Sequence, residues 1–518
     1  MSHSILSPRA RLRASTSMRA SVVVYPAWVA VTEDGVTAKS DSPLSGRLAS
    51  NALVQVVGSA LSSAVSFFTF VAVSRALGPS SFGDYTASIA LIASLVILAD
   101  LGLTPAVVRE ISATPERTNA MMQTSLPLRA ILAGTVALVL VIFSLFAPLS
   151  EGLRNAVLIG SLGAVATMLT FALTPVLQAR LMMHWVALAS VIGRLVTLGL
   201  SLGALALGAG FLGVVWANVL GLATTLFVTL AVVSRMVSLR PVLDVSGWTA
   251  LARGSIGLGV ALGIGQVYSR IGTLMLALLS TGSAVGLYGA AYKFVELSAL
   301  LMTAITVTTL PALSRFVATN DTRLHDLIQK TFEGMLSAAL PLTLVLFLYA
   351  REIVQLSSGA QYADAAQALR ILAAWVPLMF ISSIVWNMLI ANRRERILVA
   401  LSVGLVTVNV LLSLILIPRF GYEGAAYAVV SSEGLGLLFG GIVLCRMQRF
   451  RPSLRYLGAL LPALTAMAAV ILFLPGPWLL TAGIAAIVYA AIVLAMPGTM
   501  RDMATGLLRA RRPAAADS

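Results

Sequence analysis

Two apolar stretches near the middle of the chain, SIGLGVALGIGQVYSRIGTLMLALLS (255–280) and GLYGAAYKFVELSALLMTAITVTTLPAL (286–313), decide the fold class. Each is longer than the roughly 20 helical residues that cross a hydrocarbon core of about 30 Å. The first contains Arg270, and the second contains Lys293 and Glu296. Because an ionisable side chain at membrane depth costs about 2.5–3.5 kcal/mol on insertion scales, it normally faces a bundle interior or a water-filled cavity. The net positive charge of this region suits an anionic substrate.

The composition of the whole chain indicates an all-α polytopic membrane protein. Of the 518 residues, 58% are hydrophobic and only 11% are charged, whereas about 25% of a soluble domain is charged. The one cysteine, Cys445, excludes an intramolecular disulfide. No catalytic constellation and no cofactor-binding motif occurs in the sequence. His184 has no cysteine or carboxylate cluster near it, so no metal site is expected.

Hydropathy predicts about fourteen transmembrane spans. The apolar runs lie at about 51–74, 85–108, 125–148, 156–178, 185–208, 211–234, 255–280, 286–313, 331–350, 367–391, 397–417, 423–445, 456–474 and 477–497.

The basic residues predict how the spans are oriented. With the N-terminus inside, 26 of the 35 Lys and Arg residues fall in cytoplasmic segments, and the outer loops hold only Arg75, Arg154, Arg351 and Arg419. Such an excess of inner cations predicts a multi-pass protein with both termini in the cytoplasm. The formal charge of +15 is thereby explained by topology, and nucleic-acid binding is not expected.

Three pairs of short motifs recur in the same order in the two halves of the chain, at offsets of 203, 206 and 211 residues. They are FGDY at 82–85 with VGLY at 285–288, PAVVR at 105–109 with PALSR at 311–315, and GFLGVVWA at 210–217 with GYEGAAYA at 421–428. The pattern predicts two parallel copies of six spans each. Two similar lobes that rock around a midplane site are what alternating access requires.

The repeat divides the chain into predicted units. The N-lobe is 48–235, the C-lobe is 253–446, and a cytoplasmic linker at 236–252 joins them. Spans 13 and 14 lie in 447–497. The stretch 1–47 is predicted to be a disordered cytoplasmic tail, and 498–518 a basic cytoplasmic tail.

Arg270, Lys293 and Glu296 have no charged counterparts in the first copy, so repeat symmetry does not explain them. Lys293 and Glu296, at i and i+3, can neutralise each other as a helix pair. Arg270 then stays unpaired, and we predict that it lines a substrate cavity.

Two further intramembrane charges are candidates for the same cavity. Arg194 lies near the middle of span 5 and Asp100 in the inner half of span 2. They either pair with each other or line the cavity together, and Asp100 is also a candidate for gating or coupling. Arg129 and Arg370 lie close enough to span ends for their side chains to reach the interface.

Three arginines at span ends are candidates for gating. Arg109 and Arg315 occupy equivalent positions at the cytoplasmic ends of spans 2 and 8, where they would fix loops or close an inner gate. Arg75, at the outer end of span 1, would act as an interfacial anchor or in an outer gate.

The motif VSRALGPSSFGDY (73–85), followed by LADLGL (98–103) and VVRE (107–110), resembles the opening of polysaccharide-biosynthesis membrane proteins. These are the O-antigen and exopolysaccharide repeat-unit flippases of the MATE-like (MOP) superfamily, and the region 353–374 is also similar to them. The resemblance implies two six-helix lobes around a cationic cavity that accepts a polyprenyl-diphosphate-linked oligosaccharide. Arg270 and Lys293, together with Arg194, match such a cavity in position.

The resemblance also implies partners: the lipid bilayer, and a polysaccharide polymerase and glycosyltransferases that use the same lipid-linked sugar. Two alternatives stay open. A drug or cation antiporter of the same superfamily would carry net negative charge in its cavity. An integral membrane glycosyltransferase or polymerase would have a large outer loop with acidic residues, which the sequence lacks.

Overall fold

The computed structural model describes residues 43–495, except residues 101, 451 and 454. The regular structure of this part of the chain is entirely helical. The α-helices are α1 (Pro43–Asp100), α2 (Leu103–Ala113), α3 (Thr118–Phe146), α4 (Glu151–Ala179), α5 (Met183–Ala206), α6 (Gly210–Val233), α7 (Val245–Tyr268), α8 (Ile271–Leu279), α9 (Gly282–Ala318), α10 (Leu324–Leu348), α11 (Ala350–Ser358), α12 (Ala365–Ala373), α13 (Trp375–Ala391), α14 (Glu395–Gln448), α15 (Arg455–Phe473) and α16 (Trp478–Ala495).

The predicted membrane class is confirmed. Within the described residues, eleven helical stretches are long and apolar enough to cross a membrane. Two of them, in α1 and α14, are sharply bent and each contain two predicted spans, so the eleven hold thirteen of the fourteen. The remaining span, 255–280, is divided between α7 and α8. The predicted tails lie outside the described residues, except for the start of α1.

The chain folds back on itself at Gly78, inside α1. The rings of Phe70 and Phe82 lie 5.7 Å apart, although twelve residues of straight helix would separate them by about 18 Å. Gly78 has φ 72°, ψ 170°, a conformation that glycine adopts at little cost. Pro79 follows, so spans 1 and 2 are two helices joined by one non-helical residue.

A second reversal occurs at Gly421, inside α14, where φ is 56° and ψ is −130°. A Cβ atom on Gly424 would collide with the carbonyl oxygen of Leu416, which lies on the other arm of the bend. Spans 11 and 12 therefore also form a tight helical hairpin.

Small residues let neighbouring helices approach closely, as is usual in membranes. In the crossing of α5 and α6, Gly193 faces Thr225, and Gly221 faces Thr197. The two threonine hydroxyls bond within their own helices, to the carbonyls of Gly221 and Gly193 at 3.1 and 3.0 Å. Large apolar side chains such as Phe146 point outward instead, towards lipid.

The two predicted lobes contact each other at both ends of their interface. At one end, a Cβ atom on Gly286 of α9 would collide with the carbonyl oxygen of Pro79 in α1. At the other end, Gly102 packs directly on the backbone of Gly259 in α7. The topology predicted from the charge pattern would put the first contact on the outer side of the membrane and the second towards the cytoplasm.

The segment that the sequence assigns to an inter-lobe linker, 236–252, is partly helical, since α7 begins at Val245. The indole nitrogen of Trp248 donates to the carbonyl of Thr124 in α3 at 2.8 Å. At the far end of the chain, α16 is fixed to α10 through Tyr489, whose hydroxyl donates to the carbonyl of Ser337 at 2.9 Å.

Candidate functional site

Arg270 lies at a break in the seventh span, between the end of α7 at Tyr268 and the start of α8 at Ile271. Its backbone is fixed on both sides, because its N–H donates to the carbonyl of Val267 and its carbonyl accepts from Leu274, each at 3.0 Å. Its Nε is buried and has no hydrogen-bond partner. Among the described residues Arg270 forms no ion pair. Within the described part of the chain, no carboxylate therefore neutralises the charge of Arg270.

An aromatic stack supports the break from α9. The hydroxyl of Tyr292 donates to the carbonyl of Ser269 at 2.6 Å. The Tyr292 ring stacks on Tyr288 at 5.8 Å and lies 5.9 Å from the ring of Trp375 in α13. Tyr292 is also within electrostatic range of both Arg270 and Glu296, so the predicted site residues of α7–α8 and α9 are brought together around it.

Lys293 and Glu296 form an ion pair of 2.8 Å, with the two side chains 21% and 53% exposed. They continue the helix face on which Gly286 and Gly289 pack against Pro79 and Thr86 of the N-lobe. At this level of α9 the ring of Phe294 still contacts Phe67 and Phe70 of the N-lobe, at 6.1 and 6.4 Å, so the exposed charged pair lies beside a contact between the lobes.

Arg194 of α5 is exposed and forms no ion pair among the described residues. It lies within electrostatic range of Tyr85, whose hydroxyl accepts a hydrogen bond from the side-chain amide of Asn218 at 3.3 Å. Tyr85 belongs to the second arm of α1, the same arm whose Pro79 and Thr86 touch α9. Arg194 thus supplies a second unpaired cation, in the N-lobe.

Asp100 does not pair with Arg194. It accepts from Arg129 of α3 at 2.7 Å, and the Arg129 side chain is 1% exposed. The hydroxyl of Thr104 donates to Asp100 at 2.9 Å and accepts from Arg129 at 3.0 Å. The prediction that Arg129 reaches the interface is wrong, because the bundle interior supplies a carboxylate and a hydroxyl for its guanidinium. This triad flanks Gly102, the residue that packs on Gly259 of the C-lobe.

Arg75 joins the two lobes at the end of their interface that is predicted to face outward. It donates to the carbonyl oxygen of Ser357 at 3.0 Å and to that of Leu356, both in α11. The carbonyl of Arg75 accepts from the side-chain amide of Gln361 at 3.0 Å. Beside it, the Ser74 and Ser358 hydroxyls are 3.2 Å apart. Arg75 is therefore a contact between lobes rather than a free interfacial anchor.

The two predicted inner-gate arginines are less engaged. Arg109 is exposed near the end of α2, at the predicted cytoplasmic end of the second span. Arg315 stacks on Phe316 with its guanidinium carbon 5.3 Å from the ring centroid. In the loop that follows, the hydrogen bonds from Arg323 lower the pKa of Asp321 to about 2, and the nearby charge of Arg315 acts in the same direction. Among the described residues neither Arg109 nor Arg315 forms an ion pair.

Two parts of the structure lie outside the predicted site. Arg370 is exposed, and with Gln367 it borders a surface cleft of about 460 Å³ between α10 and α12.

Glu433 of α14 is buried, and the sequence analysis did not select it. A carboxylate near the middle of the predicted span 423–445 was nevertheless a signal that could have been used.

The fold and the placement of these charges define a polytopic helical membrane protein with the architecture of a two-lobed transporter. A family model described as "Polysaccharide biosynthesis protein" matches residues 48–317, which is more than half of the chain. The chain belongs to the polysaccharide biosynthesis protein family.

Two curated relatives come from Haloferax volcanii. The chain is 25% identical to the probable low-salt glycan biosynthesis flippase Agl15 over 169 residues, which are 32% of this chain and 36% of that protein. It is 26% identical to the probable flippase AglR over 216 residues, 39% of this chain and 44% of that protein. The match covers less than half the length of either relative.

Solved structures of the same fold include the lipid II flippase MurJ in an inward closed conformation. The TM-score is 0.74 at 13% identity, over 85% of this chain and 98% of that one. An inward-facing multidrug resistance MATE family transporter of the MOP superfamily gives 0.64 at 16% identity, over 75% and 96% of the two chains. An outward-facing one gives 0.56 at 17% identity, over 76% and 94%.

Proposed function

We propose that this chain is a flippase that moves a polyprenyl-diphosphate-linked oligosaccharide repeat unit across the membrane for polysaccharide biosynthesis or export. The observation that carries the proposal is the unpaired Arg270 guanidinium at the α7–α8 break, with its buried Nε unsatisfied. Membership of the polysaccharide biosynthesis family supports it, and so do the two relatives that are named as probable flippases.

The chemistry of such a substrate fits these residues. A diphosphate is too charged to cross lipid unaided, and a guanidinium can bind two of its oxygens at once. The N-terminus of α8, directly after Arg270, adds positive potential. Lys293 and Arg194 would bring further positive charge, and Glu296 would moderate it. The lipid tail would stay in the bilayer.

The proposed cycle is alternating access of the two lobes. In the present conformation the hydrogen bonds of Arg75 hold the outer ends together, and we propose that they break when the site opens outward. Asp100, held by Arg129 beside the Gly102 contact, would help to close the inner side. Arg109 and Arg315 are proposed to act at the same end.

The proposal extends to topology and setting. The protein would lie in the inner (cytoplasmic) membrane. Both termini would lie in the cytoplasm, as the excess of inner cations predicts. It would act as a transporter rather than an enzyme. It would receive its substrate from glycosyltransferases and deliver it to a polysaccharide polymerase.

The test is polymer export, or flipping in reconstituted vesicles, by a series at position 270. Arg270→Lys keeps the charge but loses the two-oxygen geometry, and Arg270→Ala loses both. The expected order is wild type above Lys above Ala at equal membrane levels. Arg370→Ala, on the exposed cleft elsewhere in the C-lobe, is the control and should export normally. Full export by Arg270→Ala would remove Arg270 from the site.

A second candidate, a drug or cation antiporter, is favoured by the MATE fold similarity alone. Its cavity would have to attract cations, yet Arg270 and Arg194 are unpaired in the described part of the chain. Transport of an organic cation that is unaffected by Arg270→Ala would favour the antiporter over the flippase.

A further inference from the structure

Glu433 is a buried carboxylate that the proposed transport site does not use. Its side chain lies in α14 and is 5% exposed. One oxygen, Oε2, accepts from the hydroxyl of Tyr268 at 2.9 Å and from the indole nitrogen of Trp375 at 3.3 Å. No Lys or Arg pairs with Glu433 among the described residues. Because burying a carboxylate that has only neutral donors is costly, a purely packing role does not account for it.

Both donors lead to the break at Arg270. Tyr268 is the last residue of α7, two positions before Arg270. Trp375 lies against Tyr292, and the Tyr292 hydroxyl holds the carbonyl of Ser269 at 2.6 Å. The carboxylate oxygen Oε2 is therefore connected to the break in two ways. Its bond with Tyr268 holds the end of α7 directly. Its bond with Trp375 acts through Tyr292 on the next residue, Ser269.

A polar network fixes this anchor within α14. The Ser432 hydroxyl lies 3.2 Å from the Tyr268 hydroxyl and accepts from the side-chain amide of Asn409 at 2.9 Å. Asn409 and Ser432 lie on the two arms of the α14 hairpin, so the network joins both arms to the end of α7. A movement of the α14 hairpin would therefore also move the end of α7 and the break beside it.

We propose that Glu433 is a positioning residue for Arg270: it holds Tyr268 and Trp375, and through them it fixes the break that presents the guanidinium to a diphosphate. The inference rests on the proposed function, since it assumes that Arg270 binds the anion. Glu433 itself does not touch the substrate. Its effect on binding must therefore pass through Arg270.

Binding of farnesyl diphosphate to the full-length protein in lipid nanodiscs tests this, with farnesol as the control for the tail. Tyr268→Phe removes one hydroxyl and should weaken binding about fivefold, as expected for one ordinary hydrogen bond. Glu433→Gln should weaken it at least as much. In the Arg270→Ala background neither substitution should cause further loss. Tyr489→Phe, which removes a buried hydroxyl of α16 bonded at the same 2.9 Å, should bind like wild type.

The outcomes separate the two proposals. Wild-type binding by Tyr268→Phe and Glu433→Gln overturns the positioning role. So does an equal loss with and without Arg270, because a general structural defect would act independently of the guanidinium. Wild-type binding by Arg270→Ala overturns the proposed site itself, and with it the role of Glu433.

Discussion

Arg129 of α3 and Asp100 at the end of α1 form an ion pair of 2.7 Å in the bundle interior, where their side chains are 1% and 13% exposed. Thr104 completes the arrangement by bonding to both. A buried pair of this kind contributes little net stability compared with apolar residues, but removal of one partner leaves a buried charge uncompensated.

Asp100→Asn should therefore destabilise the protein strongly, by about 3–5 kcal/mol, seen as a lower thermal midpoint in detergent. Asp326→Asn is the matched control, because it breaks an exposed pair with Lys330 and should cost at most about 1 kcal/mol. The double variant Asp100→Asn/Arg129→Gln should recover part of the loss. Equal midpoints for Asp100→Asn and Asp326→Asn would contradict the importance of the buried charge.

The helical membrane class and the positions of the spans could be predicted from the sequence, because lipid imposes length and hydropathy on every span. The ion-pair partner of Asp100 could not be predicted from the sequence. Arg194 and Arg129 are both intramembrane cations, and the choice between them depends on how α3 lies against the end of α1. That packing is tertiary and leaves no local pattern in the sequence.

The contact of Arg75 with the other lobe could not be predicted from the sequence either, but for a different reason. Its acceptors are the main-chain carbonyls of Leu356 and Ser357, and every residue carries a carbonyl. By contrast, the sequence was enough to select Arg270 as a candidate site residue, because an unpaired cation in an apolar run is costly wherever it lies. The break of the span at that residue was visible only in the structure.

A disulfide should lock the contact between the two lobes at Ser74 and Ser358. Ser74 and Ser358 lie on opposite lobes with their hydroxyls 3.2 Å apart, so Ser74→Cys/Ser358→Cys in a Cys445→Ala background should form a disulfide under mild oxidation. Because this bond holds the outer ends together, we expect it to abolish export, and a reductant should restore it.

The control for this lock is a pair that lies away from the lobe interface. Gln123→Cys/Ser238→Cys joins α3 to the segment between α6 and α7, where the native side chains are 3.4 Å apart, and cross-linking it with a short bifunctional maleimide should leave export unchanged. Export that survives a complete Ser74–Ser358 cross-link would show that the outer contact does not need to open.

Topology can be tested by labelling single cysteines with a membrane-impermeant maleimide, again without Cys445. Ser80→Cys and Ala360→Cys lie at exposed positions on the predicted outer side, and Glu116→Cys and Thr319→Cys at exposed positions on the predicted inner side. Intact cells should label the first two, and all four should react after permeabilisation. Labelling of position 319 in intact cells would overturn the arrangement with both ends inside.

The pair of Lys293 and Glu296 should set the strength of the proposed anion site. Glu296 is 53% exposed and neutralises Lys293 at 2.8 Å, so Glu296→Gln raises the local charge by one unit without removing a cation. Binding of farnesyl diphosphate should tighten about threefold, a modest effect because exposed charges are screened. Lys293→Gln should weaken it by a similar factor, and added salt should shrink both changes. Glu116→Gln, which neutralises an exposed carboxylate on a predicted cytoplasmic loop, should have no effect. Weaker binding by Glu296→Gln would mean that Glu296 orders Lys293 for the substrate rather than opposing it.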